Sequence, residues 1–418
     1  MVPIAMGRDT TVAAGAASAG RLLALIRAGK ASSRPALERA SGLSRVTVAQ
    51  RLGSLFAAGV IAEGDATEAS GGRPARVISL NPDYAIALAA DVGESVIRVA
   101  VTDLSPRILA EATIELDIAS GPRETLGEIV RASGKLLDDI GQAPSRVLGI
   151  GLSLPAPVNH AAGRVVGPSV MRGWDEFDVR GFLQDAFGVP ALLDNDVNLM
   201  ALAEHRLHWS SVDHFLFIKA GTGIGSGIII DGAVYRGARG ASGDIGHIQF
   251  DEPKAPLCRC GKFGCVEARA AGWAIARDLR ANGFAAHNAR DVIMLLEKRE
   301  PDCIQRVREA GRVLGEVAAD VVSVLNPTTI VVGGTLSRAG EHLLAGVKEL
   351  IYRRCLPLAL KGLGVFAARC DERAGVLGAA NLVIDAALAP EVLADTVARL
   401  QASPRQDGRK RVSHIGRE

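Results

Sequence analysis

The stretch HFLFIKAGTGIGSGIIIDGAVY, residues 214–235, reads as an apolar strand, a glycine-rich turn and a second apolar strand. Similar patterns lie on both sides of it. VLGIGLSLPAPV, residues 147–158, and TTIVVGG, residues 328–334, are strands that run into loops, and VPALLDNDVNLMALAEH, residues 189–205, is a strand, an acidic turn and a helix. Strands that alternate with helices and end in glycine turns indicate an α/β fold that holds ligands at those turns.

The length and composition fit a globular protein of two or three domains. The chain has 418 residues, of which 48% are hydrophobic and 22% charged, so it can bury sizeable cores. It contains no apolar run long enough to span a bilayer, and its N-terminus lacks the basic and apolar regions of a signal peptide. Three of its six cysteines fall within eight residues, which favours metal binding over disulfides. We therefore expect a cytoplasmic protein without membrane insertion.

The first part of the chain is basic. Residues 1–82 contain ten basic and five acidic residues, a net charge of +5, whereas the whole chain carries +2. A basic first segment on a slightly acidic body suits a nucleic-acid partner. Solvated basic faces are common, however, so charge alone does not identify one.

The same segment has the pattern of a winged helix-turn-helix. Residues 18–28 predict a helix, Ser33 can cap a second one, and Ser44 can cap a third, RVTVAQRLGSLFAA, which ends at Gly59. Two short apolar strands with a polar loop between them follow and predict a β-hairpin wing. The order of three helices and a wing is typical of DNA-binding modules.

The third helix is expected to enter the major groove of double-stranded DNA. Val48, Leu52 and Leu55 lie at helical spacing and should pack inward, which leaves the polar positions outward to reach bases and phosphates. The arginine at the tip of the wing could enter a minor groove. The predicted DNA-binding residues are Arg45, Thr47, Gln50, Arg51 and Arg73, with Ser54 on the same face. The alternative is a small helical module that binds another protein.

One histidine and three cysteines are candidate ligands of a metal ion. His247, Cys258, Cys260 and Cys265 follow the pattern H-x10-C-x-C-x4-C. One imidazole and three thiolates would form a complete tetrahedral set for a structural Zn²⁺. The C-x-C-x4-C spacing is unusual for zinc, so free buried thiols remain an alternative on spacing alone.

Six motifs in a fixed order make the chain resemble the ROK family of repressors, open reading frames and sugar kinases. They are DVG, DND, GTGIGSG, GDIGH, CRCGKFGCVE and NPTTIVVGG. The resemblance covers nearly the whole chain: the kinase-like part spans about residues 84–388, and the winged helix in front is the repressor arrangement. It implies an actin-like ATPase fold, in which two lobes surround a cleft.

The resemblance also implies roles for individual residues. Asp196 matches the general base of family kinases, which takes a proton from the sugar hydroxyl. The implied sugar-binding set is Asn195, Asp196, Asp244, His247 and Glu267. The resemblance supports zinc at His247 and the three cysteines. Read alone, Asp194 or Asp196 could instead cap the following helix.

Two departures from the kinases concern the ligand sites. Glu94 stands where family kinases have a second glycine near the ATP phosphates, and like charges in a closed site repel. Asp244 and Ser169 replace a Glu and an Asn and shorten two polar arms of the sugar pocket. The remaining nucleotide turns are intact: Gly221, Thr222, Gly223, Gly225, Gly333 and Gly334.

The sequence therefore predicts a regulator, with repression as its expected mode. Residues 1–82 would form a winged helix-turn-helix, residues 83–390 a sugar-kinase-like sensing domain, and residues 391–418 a helix end and a basic tail. A homodimer or homotetramer would bind an inverted-repeat operator, and a sugar or sugar derivative would control it. The alternatives are an ATP-dependent sugar kinase, a bifunctional protein, or a regulator controlled by contact with a transport protein.

Overall fold

The computed structural model describes residues 9–68, 75–167, 171, 173–175, 177–251 and 253–402. Arg73 and Ser169, which the sequence analysis singled out, lie outside these residues. None of the helices in the described ranges is long and apolar enough to cross a membrane.

Three helices and a β-hairpin form the N-terminal module, in the order that the sequence predicts. The elements are α1 (Asp9–Arg27), α2 (Arg34–Ser41), α3 (Arg45–Ala58), β1 (Ile61–Glu68) and β2 (Ala75–Leu80). The strands β1 and β2 are antiparallel. The Ser44 hydroxyl accepts a hydrogen bond from the backbone N–H of Thr47, as expected of a cap, whereas the Ser33 side chain makes no such bond to α2.

The first lobe is built on a mixed five-stranded sheet. Its elements are β3 (Ile86–Val92), β4 (Val96–Thr102), β5 (Ile108–Glu115), α4 (Pro122–Asp139), β6 (Val147–Leu154), β7 (Val158–Asn159), β8 (Arg164–Val165), α5 (Val179–Phe187) and β9 (Ala191–Asn195). The strand order is β5-β4-β3-β6-β9. Strand β3 pairs antiparallel with β4 and parallel with β6, and β7 and β8 form a separate short hairpin.

The second lobe repeats this arrangement. Its elements are α6 (Asp196–His208), β10 (His214–Ala220), β11 (Ile224–Ile230), β12 (Ala233–Val234), α7 (Val266–Ala270), α8 (Gly272–Ala281), α9 (Ala289–Glu297), α10 (Pro301–Leu325), β13 (Thr329–Gly333), α11 (Glu341–Arg354), α12 (Pro357–Leu360) and β14 (Gly364–Ala367). The strand order is β12-β11-β10-β13-β14, and β10 pairs antiparallel with β11 and parallel with β13. Two similar sheets confirm the predicted two-lobed α/β fold.

Two helices join the lobes. Helix α6 packs on the second sheet, and α13 (Ala374–Ala387) packs on the first. The two helices also pack on each other. Glycines permit the close approach: a Cβ added to Gly378 would lie 1.9 Å from the carbonyl oxygen of Leu199 in α6, and one added to Gly151 in β6 would lie 2.1 Å from that of Ala379. No side chain fits at such distances.

The N-terminal module shares its core with the end of the chain. Leu22 and Leu52 of the module belong to the same buried cluster as Ile384 of α13 and Leu393 of α14 (Leu393–Ala402). A Cβ added to Gly20 in α1 would lie 2.3 Å from the Cα atom of Pro390. The boundaries predicted at residues 82 and 390 therefore cross one continuous apolar cluster.

An acidic side chain connects this contact to the lobes. Asp385 of α13 pairs with Arg27 of α1, and its other oxygen accepts from Arg206 of α6 at 2.9 Å. All three side chains are largely buried, so the pairing is screened less by salt than a surface ion pair. One carboxylate thus holds the N-terminal module, α6 and α13 together.

Replacing Gly378 by Ala should destabilise the fold. The added methyl would collide with the backbone of α6, and overpacking of this kind typically costs about 1–3 kcal/mol. Urea unfolding followed by circular dichroism measures the change. Gly134→Ala is the matched control, because Gly134 lies within α4 and its added Cβ meets nothing within 4 Å; this change should be neutral or stabilise by up to ~1 kcal/mol. Equal stability of the two variants would contradict the role given to Gly378.

Candidate functional site

The cleft between the lobes collects the polar ends of four strands. Asp91 lies near the end of β3 and accepts a hydrogen bond from the Ser153 hydroxyl of β6. Asp196 follows β9, and Lys219 lies near the end of β10. Burial raises the pKa of Asp91 above its usual value, and the hydrogen bond from Ser153 opposes this shift. The carboxyl ends of parallel strands meet in this way at a ligand-binding crevice.

Asn195 determines how the acidic turn is arranged. Its side-chain oxygen accepts from the backbone N–H groups of Val197 and Asn198 and so caps α6, while its amide donates to the Ala156 carbonyl at 3.1 Å. The interpretation that Asp194 or Asp196 caps this helix is therefore wrong. The Asn195 side chain caps the helix instead, so the carboxylates of Asp194 and Asp196 remain available to other partners.

The two acids face different surroundings. Asp194 is buried and accepts from the Arg236 Nε at 2.6 Å, and from the Asn198 side chain at 3.0 Å. Its partners are all protein groups, so its role is to hold the loop that carries Arg236. Asp196, by contrast, lies at the cleft, where the predicted general base should be.

Lys219 pairs with Asp196 across 2.5 Å, a contact that the sequence analysis missed. Burial lowers the pKa of Lys219, but the nearby Asp196, together with Asp91 and Glu94, outweighs burial, and the pKa lies above its usual value. The lysine is therefore charged at neutral pH. A single charged residue inside the apolar strand FLFIKA was the signal that could have revealed it.

The predicted nucleotide turns lie together at one end of the second sheet. A Cβ added to Gly221 would lie 3.8 Å from the backbone nitrogen of Thr335, and one added to Gly334 would lie 2.6 Å from the Ala220 carbonyl oxygen. Gly334 has a φ of +84°, which favours glycine. The paired glycines at 333–334 thus flank the turn at 221–225.

The predicted sugar contacts converge on the start of β11. The Glu267 carboxylate accepts from the Ile224 backbone N–H at 3.1 Å. The turn that carries Asp244 and His247 packs here too, because the Gly243 carbonyl accepts from the Ser226 N–H at 2.7 Å. The first turn of α6, which begins at Asp196, also lies here, because a Cβ added to Gly225 would lie 3.1 Å from a methyl group of Val197. Carboxylates and an imidazole on neighbouring segments suit a ligand with several hydroxyls.

The four predicted metal ligands come together. The ligand atoms of His247, Cys258, Cys260 and Cys265 all lie within 4.8 Å of one another. His247 Nδ1 lies 3.9 Å from Cys258 Sγ, and the sulfurs of Cys260 and Cys265 are 3.7 Å apart. This cluster could hold one metal ion. Cys265 is followed directly by α7, which carries Glu267, so the cluster adjoins the cleft.

The surface of α3 is mostly as predicted. Arg45, Gln50 and Ser54 are exposed, and Val48, Leu52 and Leu55 are buried. Thr47 differs from the prediction, because it is half-buried and its hydroxyl contacts the Ser44 hydroxyl at 2.9 Å. Arg51 is also half-buried. The sequence analysis missed Val46, which is 78% exposed.

The sequence profile described as the ROK family matches residues 87–386. The chain belongs to the ROK family. A xylose repressor from Caldicellulosiruptor bescii is 26% identical over 371 residues, which cover 85% of this chain and 92% of that protein. The fold is also similar to two solved structures of the family.

These two structures differ in how much of the chain they match. A ROK family transcriptional regulator, described as a homolog of the Escherichia coli MLC protein, has a TM-score of 0.77 and 26% identity, and the match covers 92% of this chain and 99% of that one. The ROK hexokinase from Thermus thermophilus has a TM-score of 0.60 and 30% identity, with 74% and 99% covered. The hexokinase is thus matched almost completely and still leaves about a quarter of this chain unmatched.

Proposed function

We propose that this ROK protein is a DNA-binding transcriptional repressor of carbohydrate-metabolism genes, controlled by a sugar or sugar derivative in the cleft. The observation that carries the proposal is the N-terminal module, with its exposed α3. The similarity to a repressor and to a transcriptional regulator over most of the chain supports it. Such a protein works where the chromosome is, in the cytoplasm.

The proposed DNA contact is α3 in the major groove. Arg45 and Gln50 can hydrogen-bond base edges, and the exposed Val46 can contact a thymine methyl group. Arg51 and Thr47 would contribute at the edge of the face, and Arg73 would reach a minor groove from the wing. One short helix reads only a few base pairs, so we infer a homodimer or homotetramer on an inverted repeat.

The proposed sugar site is the opening around the start of β11. Asn195 ends β9 of the first lobe, and Asp196 begins α6, one of the two helices that join the lobes. Asp244, His247 and Glu267 belong to the second lobe. A ligand that contacts both groups would be bound more tightly in one arrangement of the lobes than in another, which is what a ligand needs in order to shift an equilibrium.

For the metal cluster we propose a structural Zn²⁺. One imidazole and three thiolates supply all four positions of a tetrahedral site, which leaves none open for a substrate. The ion would tie the His247 turn to the segment before α7, and so would fix Asp244 and Glu267 relative to each other.

The proposed route from sugar to DNA runs along α6. This helix begins at Asp196 in the cleft, and its Arg206 shares Asp385 with Arg27 of the N-terminal module. A small shift of α6 on ligand binding would therefore pull on α1. A coupling of about 1–3 kcal/mol suffices to change DNA affinity by about 5–150-fold.

A sugar kinase is the second candidate, supported by the intact glycine turn at 221–225 and by the similarity to the hexokinase. Three features argue against a kinase: the N-terminal module, Glu94, and the ion pair that Asp196 makes with Lys219. A coupled phosphorylation assay with D-xylose, D-glucose and N-acetyl-D-glucosamine separates the two. Turnover at ordinary enzyme rates, ~1–10³ s⁻¹, that is lost in Asp196→Asn would establish the kinase.

Replacing Arg45 by Ala should weaken DNA binding by about 1–3 kcal/mol, because a base contact is lost. Fluorescence anisotropy with a DNA duplex selected from random-sequence DNA by the wild-type protein measures this at two salt concentrations. Arg308→Ala is the control, since it removes the same charge from an exposed position on α10. If the affinity of Arg45→Ala for DNA and its salt dependence were unchanged, α3 would not be the helix that contacts DNA.

Replacing Asp385 by Asn should uncouple the two sites. The neutral amide holds Arg27 and Arg206 more weakly, so sugar binding should persist while the sugar-induced change in DNA affinity falls several-fold. Titration of each sugar by calorimetry, and of DNA with and without that sugar, gives both quantities. Asp213→Asn is the control, because it weakens an exposed pair with Lys30 instead. A wild-type response in Asp385→Asn would exclude this route.

Cys260→Ser should remove the metal and lower stability, because ligation energy is also folding energy. Mass spectrometry under native conditions, together with elemental analysis, should find one zinc per wild-type chain and none in the variant. Cys303→Ser, at a buried thiol outside the cluster, should keep the zinc. Pure, DNA-binding wild-type protein without stoichiometric zinc would refute the assignment.

A further inference from the structure

We propose that Lys219 is a built-in cation that replaces a nucleotide-bound metal ion, so that the cleft binds its sugar without a nucleotide. The inference deepens the proposed function and rests on it. It makes Lys219 a positioning residue for the ligand site, acting through Asp196.

The lysine lies where phosphates would approach. A Cβ added to Gly221 would lie 3.7 Å from the Cε atom of Lys219, so the lysine stem lies against the turn at 221–225. Its ammonium group lies 2.5 Å from Asp196, and Asp91 and Glu94 are close enough to stabilise its charge. One fixed positive charge thus lies beside the Asp196 carboxylate and against the glycine turn.

Lys219 is a charged residue in an otherwise apolar part of β10. Its neighbours in β10, Ile218 and Ala220, are completely buried, and strands of this kind normally continue with apolar or small polar residues. Burying a charge is costly unless it is paired. Within the described part of the chain, Lys219 meets that requirement through the carboxylates of the cleft, which are the groups that a ligand would use.

The chemistry of phosphoryl transfer explains why the lysine matters. A kinase needs Mg²⁺ to bridge the phosphates, held by carboxylates, and a free carboxylate to receive the hydroxyl proton. Asp196 already pairs with the ammonium of Lys219, and Asp91 is near enough to stabilise the charge of that ammonium. A divalent cation placed here would be repelled, and Asp196 would have to break its ion pair to act as a base. The residues therefore do not fit a magnesium nucleotide.

For a sugar alone the same arrangement is suitable. The lysine neutralises part of the acidic cluster and holds Asp196 in one orientation, with its carboxylate ready to accept hydrogen bonds from hydroxyls. Hydroxyl recognition needs no metal and no nucleotide. The cleft would therefore bind a sugar alone, whereas a kinase cleft binds a sugar and a magnesium nucleotide.

The experiment compares Mg·ATP binding in a Glu94→Gly background, which removes the other obstacle. Calorimetry should detect no saturable Mg·ATP binding to wild type or to Glu94→Gly. Glu94→Gly/Lys219→Thr should show saturable binding, with an affinity on the order of tenfold or more above the detection limit of the experiment. Glu94→Gly/Lys135→Thr is the control, since Lys135 is exposed on α4. Binding to Glu94→Gly alone, no gain in the double variant, or loss of existing binding on removal of Lys219 would each overturn the inference.

A second measurement uses only the wild-type protein, in case the double variant does not fold. The thermal shift produced by whichever of D-xylose, D-glucose and N-acetyl-D-glucosamine stabilises the protein most should be the same with and without Mg·ATP. A shift that requires Mg·ATP would overturn the inference. DNA binding measured on the same preparation separates the two proposals: its absence refutes the regulator, whereas Mg·ATP binding with DNA binding intact refutes only the role of Lys219.

Discussion

The close approach of α13 to β6 and α6 is the constraint on which the rest of the structure depends. Gly151 and Gly378 remove the side chains that would keep these backbones apart. Once seated there, α13 extends from the cleft to the N-terminal module. Near its beginning, Gly375 contacts the Asp91 carboxylate of the cleft, and near its end Asp385 binds the N-terminal module. A helix so tightly held transmits displacement rather than absorbing it.

Charge pairing, more than apolar burial, distinguishes the cleft from the rest of the interior. Asp194 with Arg236 and Asp196 with Lys219 are neighbouring pairs with different consequences. The first is satisfied entirely by protein groups and fixes a loop. The second lies at the opening, where a ligand can compete for it. Pairs of this kind contribute little net stability, because desolvation offsets attraction, and their value lies in setting geometry and charge.

The sequence predicted what depends on local pattern. The order of helices and strands, the buried face of α3 and the clustering of His247 with three cysteines all follow from spacing and from the resemblance. It did not predict pairs between distant residues, such as Lys219 with Asp196 or Arg206 with Asp385. Those pairs depend on how the two lobes and α13 come together. The exposure of Val46 was missed for a smaller reason, since apolar residues in an amphipathic helix are expected to be inward.

The shared core of the N-terminal module has a consequence for how the protein is made. The ribosome releases the module before the two lobes, yet Ile384 and Leu393, which complete its apolar cluster, follow both lobes in the chain. Until then Leu22 and Leu52 lack part of their packing, and the module remains incomplete while most of the chain is translated. A chain cut short before α13 would leave that cluster open. The core of the N-terminal module is thus completed only after both lobes have been translated.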